Sequence, residues 1–366
     1  MRVHVVVPEG FDNPGQPSGG NIYDRRVCAG LVEAGWEVLV ATVAAAWPVP
    51  GPGARAHLAR IVSVIPDGEA VLIDGLIASP AAAQLLPHAD RIRMTVLLHM
   101  PLATAIDMRH DASAERSERA VLRAAAGVVV TSEWTRRQVL TRYAIPACRV
   151  HVARPGVDRV AVPGRPVRGH LICIGVLSQH KGQDLLVEAL ADLADRDWHC
   201  LLAGSLDRDP RFVEQLQTRI TRLGYEDRVR FSGVLTGAPL SHAYATADLL
   251  VAPSRSETYG MTVTEALAHG LPVIAAAVGG LPEALGSAAD GTLPGQLIPP
   301  GDPAALAGAL GDWLGDERHR DRLRAAARQR QSTLQGWEQT TQKIASALTT
   351  YGRGKPGEPF RYQRTR

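Results

Sequence analysis

Short β-rich runs alternate with helical patterns along this chain, and they do so twice, on either side of a stretch rich in proline and glycine. In the first series, residues 3–7, 37–43, 70–73, 94–98 and 127–131 read as strands, and 22–34 and 114–126 as helices. Alternation at this spacing argues for a parallel sheet with helices on both faces. Arg154-Pro155-Gly156-Val157-Asp158 and the segment up to Arg168 read as a hinge. A second series opens at 170–174 and continues with strands at 198–203, 229–231, 249–252 and 272–276. Its helices fit 183–193, 210–223, 262–269 and 304–314. The expected molecule is α/β, with two doubly wound domains facing a central cleft. Its expected parts are a first domain over 1–160, a linker over 161–168 and a second domain over 169–335. A helix over 336–350 would pack back towards the first domain, and 351–366 would be a flexible basic tail.

A chain of 366 residues is long enough for two full cores. No run of 18 or more apolar residues is present, so no transmembrane helix is expected. The first residues are too short and too β-branched a run for a signal peptide, which points to the cytoplasm. The net charge of +3 permits weak attraction to anionic ligands or headgroups and implies no nucleic-acid partner. Cys28, Cys148, Cys173 and Cys200 are scattered, without metal-type spacing, and read as buried reduced thiols. No GxGxxG follows the first strand of either half, which argues against a dinucleotide-dependent dehydrogenase.

The chemistry concentrates in Ser256-Glu257-Thr258-Tyr259-Gly260-Met261-Thr262-Val263-Thr264-Glu265. A buried strand stops at Pro253, a glycine turn follows, and a helix begins, with Glu257 and Glu265 on either side of the turn. Ionised carboxylates accept hydrogen bonds from hydroxyls. A helix start offers free N–H groups to phosphate oxygens. A nucleotide-sugar has hydroxyls at both ends and phosphates between. Tyr259, Gly260, Met261 and Thr262 would supply the backbone donors. Lys181, after a strand and before Gly182, would add a compact positive charge for a diphosphate leaving group. Gly19 and Gly20 let backbone approach a ligand closely, ahead of a helix start at Asn21 and Ile22. His99 ends a parallel strand, where ligand crevices form in this fold class. Asp207-Arg208-Asp209 spells an acidic pair used by metal-dependent transferases of another fold, yet it falls in a loop here, and no metal site is expected. Glu115, Arg116, Glu118, Arg119 and Arg123 read as a solvated helix face, and the tail as a solvated end with a docking arm as its alternative.

Taken together, these residues resemble the GT-B-fold glycosyltransferases, and within them the retaining family four. The resemblance spans most of the chain. It rests on Ser18-Gly19-Gly20, Arg154 to Asp158, Cys173 to Gly182, Pro253 to Gly260 with Glu265-Ala266, Gly270 to Ala275, Gly279 to Glu283 and Pro299-Pro300-Gly301-Asp302. It implies transfer of a sugar from a nucleoside-diphosphate-sugar, UDP- or GDP-linked, with retention of anomeric configuration and no cofactor or metal. The glycine loop would face the diphosphate, His99 would lie near the reacting sugar, Glu257 would hold sugar hydroxyls and Glu265 the ribose. The acceptor, a small molecule or a lipid-linked one at the membrane periphery, would sit on first-domain loops at 11–16 and 102–113. No feature specifies an oligomeric state. The pattern is broken at Val176, where most members carry an arginine; Arg154, His180 and Arg255 are the candidates to replace it. Two alternatives are a sugar-nucleotide epimerase or hydrolase, and a binding module without turnover.

Overall fold

The computed structural model describes residues 1–15, 17–44, 47–102, 112–160 and 166–350. Most of the linker, the basic tail and the greater part of the loop at 102–113 lie outside the described residues.

The first six strands are β1 (Arg2–Pro8), β2 (Glu37–Val43), β3 (Ala70–Asp74), β4 (Arg93–Leu98), β5 (Gly127–Val130) and β6 (Val150–Val152). They form one parallel sheet in the order β2-β1-β3-β4-β5-β6. Strand β1 shows why the sheet must be covered twice. Val3, Val5 and Val7 enter one apolar cluster and Val6 the other, because successive side chains point to opposite faces. One face is covered by α1 (Gly19–Glu33) and the C-terminal α14 (Trp337–Thr350), through Tyr23, Val27 and Leu31 against Ile344 and Leu348. The other is covered by α2 (Pro52–Ser63), α3 (Gly75–Ala78), α4 (Ala82–Leu85), α5 (Ala112–Ala124) and α6 (Glu133–Tyr143).

The second sheet contains β7 (His170–Ile174), β8 (His199–Ala203), β9 (Val229–Gly233), β10 (Leu249–Ala252), β11 (Val273–Ala276) and β12 (Gly295–Ile298). It is also parallel, in the order β12-β11-β10-β7-β8-β9. On one face lie α7 (Gln183–Ala191), α8 (Pro210–Leu223) and α12 (Pro303–Gly315), closed around Trp198 and Trp313. On the other lie α9 (Gly237–Thr246), α10 (Met261–Ala268), α11 (Leu281–Leu285) and α13 (Glu317–Gln331).

The chain returns to the first domain at Gly336 and Trp337, where it crosses Gly156. A Cβ on Gly156 would fall 2.3 Å from the backbone nitrogen of Trp337, so only glycine lets the two segments cross. The Val157 N–H donates to the Gln335 carbonyl at 2.9 Å beside the crossing.

Two sequence expectations need correction. Glu118 is fully buried, not solvated. It faces the sheet side of α5 and accepts hydrogen bonds from the Ser79 hydroxyl at 2.8 Å, the Leu102 N–H at 3.0 Å and the Tyr143 hydroxyl. Three donors replace the water a carboxylate loses on burial. The cysteines also divide: Cys173 and Cys200 are buried, Cys28 is partly covered, and Cys148 is exposed because it lies in the short turn before β6. None of the four forms a disulfide with another described residue.

Candidate active site

In each sheet the strand order reverses once, and the ends of the strands on either side of that reversal form a crevice. In the second domain the reversal lies between β7 and β10. After β7 the chain turns through Gly175 to Val176, Ser178 and a single 3-10 turn, Gln179–Lys181. Gly182 then adopts φ +74°, and a Cβ on it would fall 2.2 Å from the Pro253 carbonyl. This close approach brings the β7 turn against the end of β10. Lys181 Nζ lies 2.5 Å from Glu257 Oε2, and Glu257 Oε1 accepts the Thr258 N–H at 3.1 Å. Burial works against the charge on Glu257, but the ammonium of Lys181 outweighs it and holds the carboxyl below its usual range. Both side chains line a small cavity with Ser254, Thr262 and Leu281.

Gly260 precedes α10 in a left-handed conformation and supplies no side-chain cap. The first N–H groups of a helix have no partner within it. Those of Met261 and Thr262 therefore start α10 beside the Lys181–Glu257 pair, where its dipole favours negative charge. Tyr259 turns its ring into the core, so its contribution to this face is backbone. Glu265 stands one turn into α10. Its carboxylate accepts the Tyr244 hydroxyl at 2.7 Å, and burial raises its pKa to about 7. His269 stacks on Tyr244 with ring centroids 4.8 Å apart. Sequence reasoning missed Tyr244, which lies in α9 with no motif around it.

In the first domain the reversal lies between β1 and β3. Ser18 caps α1 by accepting the Asn21 N–H at 3.0 Å, which sets Gly19 and Gly20 at the helix start. A Cβ on Gly20 would meet the His99 ring at 3.3 Å, and one on Gly19 would meet Met261 Sδ of the second domain at 3.5 Å. The glycine loop therefore lies between His99 and the start of α10. His99 Nε2 is 2.8 Å from Asp24 Oδ1, and Tyr23 meets the imidazole edge-on at 5.1 Å. Asp74, at the end of β3, completes a group in which the polar atoms of Asp24, Asp74 and His99 lie within 4.8 Å of one another. The Asp74 carboxylate also caps α3 through the Leu76 N–H at 2.7 Å. Its pKa rises to about 7, first through burial and then through the neighbouring Asp24. Burial opposes a charge on His99, but Asp24 outweighs it, with Asp74 adding, and raises the imidazole to about 9. Neither aspartate was marked by the sequence.

The domains also touch beside this site. The Ser132 hydroxyl donates to the Thr258 carbonyl at 2.7 Å. Glu283 of α11 accepts the Glu133 and Trp134 N–H groups at the start of α6, at 2.8 and 3.3 Å, and binds Arg154 Nε at 2.5 Å.

The three candidates to replace a cation at Val176 have other work. Arg255 grips Asp184 through two bonds of 2.7 Å, Arg154 holds Glu283, and His180 Nδ1 meets the Ser178 hydroxyl at 2.9 Å. Asp209 accepts the Phe212 N–H as the cap of α8, which accounts for its place in the Asp207-Arg208-Asp209 loop.

Residues 167–330 match the family model described as glycosyl transferases group 1. The D-inositol 3-phosphate glycosyltransferase of Xylanimonas cellulosilytica is 31% identical over 262 residues, covering 67% of this chain and 61% of that protein. The protein of the same description from Jonesia denitrificans is 33% identical over 244 residues, covering 61% of this chain and 56% of its own length. The chain thus spans between about half and three fifths of the curated relatives it matches. Among solved structures, sucrose-phosphate synthase from Thermosynechococcus elongatus superposes with a TM-score of 0.78 at 22% identity, over 96% of this chain and 98% of that one. HepE from Anabaena, solved in complex with UDP and glucose, gives 0.75 at 20% identity, over 96% and 100%. No helix among the described residues is long and apolar enough to cross a membrane. Residues 167–330 thus carry a glycosyl transferases group 1 match, and the two domains together have the GT-B fold.

Proposed function

We propose that this protein transfers a sugar from a nucleoside-diphosphate-sugar to an acceptor held by the first domain, with retention of configuration and without a metal. The observation that carries the reading is the Lys181–Glu257 pair set against the uncapped start of α10, with Glu265 one turn further on. Lys181 and the N–H groups of Met261 and Thr262 would bind the diphosphate and stabilise it as it departs. On donor binding the ammonium would exchange part of its contact with Glu257 for phosphate, freeing that carboxylate for sugar hydroxyls. Glu265, oriented by Tyr244, would accept from the ribose. Gly19 and Gly20 would close the diphosphate from the opposite side, and His99 would stand beside the sugar. Domain contact would exclude water from a transition state of oxocarbenium character. UDP or GDP is the expected nucleotide; the complex of HepE with UDP and glucose supports the former. A small-molecule or lipid-linked acceptor fits a cytoplasmic enzyme, the latter at the membrane surface.

A thermal-shift and nucleotide-release screen against UDP-, GDP-, ADP- and dTDP-sugars, in chelator, tests this reading. The expected result is stabilisation by one donor and slow release of its nucleotide. A protein that no donor stabilises would contradict it.

A further inference from the structure

The Asp24–Asp74–His99 group is a second concentration of titratable side chains, and the family motifs do not account for its aspartates. Asp24 is 2% exposed and Asp74 5%, among Val5, Val7, Leu72 and Leu97. An unpaired carboxylate in such surroundings is costly, and a cationic partner offsets that cost. His99 is the partner at hand, and its side chain keeps 19% of its surface exposed.

We propose that Asp24 is a positioning residue: it accepts the Nε2–H of His99, holds the ring as an imidazolium beside Gly19 and Gly20, and leaves Nδ1–H as a donor to an anionic group of the ligand between the domains. The proposal rests on the donor reading above, with the diphosphate as that anionic group. Its premises are geometric. The 2.8 Å contact engages Nε2, so Nδ1 is the remaining ring nitrogen. Gly20 bears no side chain, and a Cβ on it would lie 3.3 Å from Cδ2 of the ring, so the start of α1 comes up against the Cδ2 edge, opposite Nδ1. The second domain lacks a cation at Val176, and Arg154 and Arg255 are held by Glu283 and Asp184. A charge on the first domain would compensate from across the cleft. The charged groups facing His99 are Asp24 from α1 and Asp74 from β3. With Asp74 protonated, the group carries one negative and one positive charge and does not repel a phosphate. Ionisation of Asp74 makes it net negative.

The test uses the full chain, Asp24→Asn and His99→Gln, with folding checked by melting temperature. Imidazole resonances followed by NMR should show His99 charged beyond pH 8 in the parent. In Asp24→Asn its midpoint should fall by more than about one pH unit. Calorimetry with inorganic pyrophosphate should show about tenfold weaker binding in each variant, as expected for a lost charge-assisted hydrogen bond. If Asp24→Asn does not fold, His99→Gln and the parent titration carry the test. A parent His99 that titrates near the ordinary value of about 6.5, or pyrophosphate affinity unchanged in His99→Gln, overturns the proposal. Pyrophosphate binding that depends on His99, in a protein that binds no nucleotide-sugar, would sink the glycosyl reading and leave the imidazolium standing.

Discussion

The two domains share one architecture and differ in how they assemble chemistry at the same topological place. In the second, Lys181, Glu257 and Glu265 come from two short segments, each a strand end with the turn and helix that follow it. Lys181 and Glu257 line a small cavity, and the start of α10 adds backbone donors. In the first, the comparable position is filled by Asp24, Asp74 and His99, drawn from α1, β3 and β4 and mostly buried. Strand order differs as well: the reversal falls between β1 and β3 in one sheet and between β7 and β10 in the other. The fold thus specifies where a ligand can lie, while side chains decide what it can be.

The largest expected effect separates the domains by turnover. Lys181→Ala should lower kcat by roughly 10²- to 10³-fold, the usual effect of losing one donor to a developing anion, with the first-domain core unchanged by circular dichroism and melting. Near-normal turnover would remove Lys181 from the chemistry. Glu118→Ala should act in the opposite sense, on stability, costing about 3 kcal/mol by stranding Ser79, Tyr143 and the Leu102 N–H. Chemical denaturation should show the loss, and a variant as stable as the parent would show that the buried carboxylate carries no such weight. Glu283→Gln tests the contact between domains. It should weaken the bonds to Arg154 and to the start of α6, each charge-assisted bond being about 1.5–3 kcal/mol at most, less here because Arg154 is partly exposed. A larger radius of gyration in solution scattering is expected, and identical curves would count against Glu283 as a fastening point.

The pH dependence should be the smallest effect and should differ by domain. Asp74 and Glu265 both have pKa values raised to about 7, so each binds more protons folded than unfolded. Their contributions to stability are fully present below the unfolded carboxyl pKa and are lost as pH rises through about 7. His99, raised to about 9, contributes stability that is complete below its unfolded pKa and lost as pH rises through 9. Melting temperature should therefore decline from about pH 4 to 7 through the two carboxyl groups and on to about pH 9 through His99. Asp24→Asn should flatten the limb between about 6.5 and 9 and also reduce the acid limb, because Asp24 helps to raise the pKa of Asp74. A limb unchanged in that variant would disconnect Asp24 from His99.

Much of the second domain's site was legible because its residues are close in sequence. Glu257 and Glu265 bracket one glycine turn, and Lys181 precedes Gly182 at a strand–helix junction. Periodicity also gave five of the six strands of each sheet, missing β6 and β12, and most long helices. It failed where burial is polar or the element short. Helix α13 reads Glu317-Arg318-His319-Arg320-Asp321-Arg322, yet Arg320 is buried, donating to the Trp313 carbonyl at 2.7 Å. Strand β6 has three residues, too few for a pattern. Glu118 looks like its charged neighbours in sequence and differs only by facing Ser79 and Tyr143. Asp24 and Asp74 stand 75 and 25 positions from His99, and no local spacing joins them. Only the parallel order of β1, β3 and β4 brings them together.

The most direct test is the affinity of Glu265→Ala for UDP and GDP, measured by calorimetry beside the parent. Glu265 should hold the ribose through hydrogen bonds to a charged group, each about 1.5–3 kcal/mol. The expected result is at least about a tenfold loss for the preferred nucleotide, with inorganic pyrophosphate binding retained. Equal nucleotide affinity in parent and variant would contradict the assignment of the donor to α10 and the second domain.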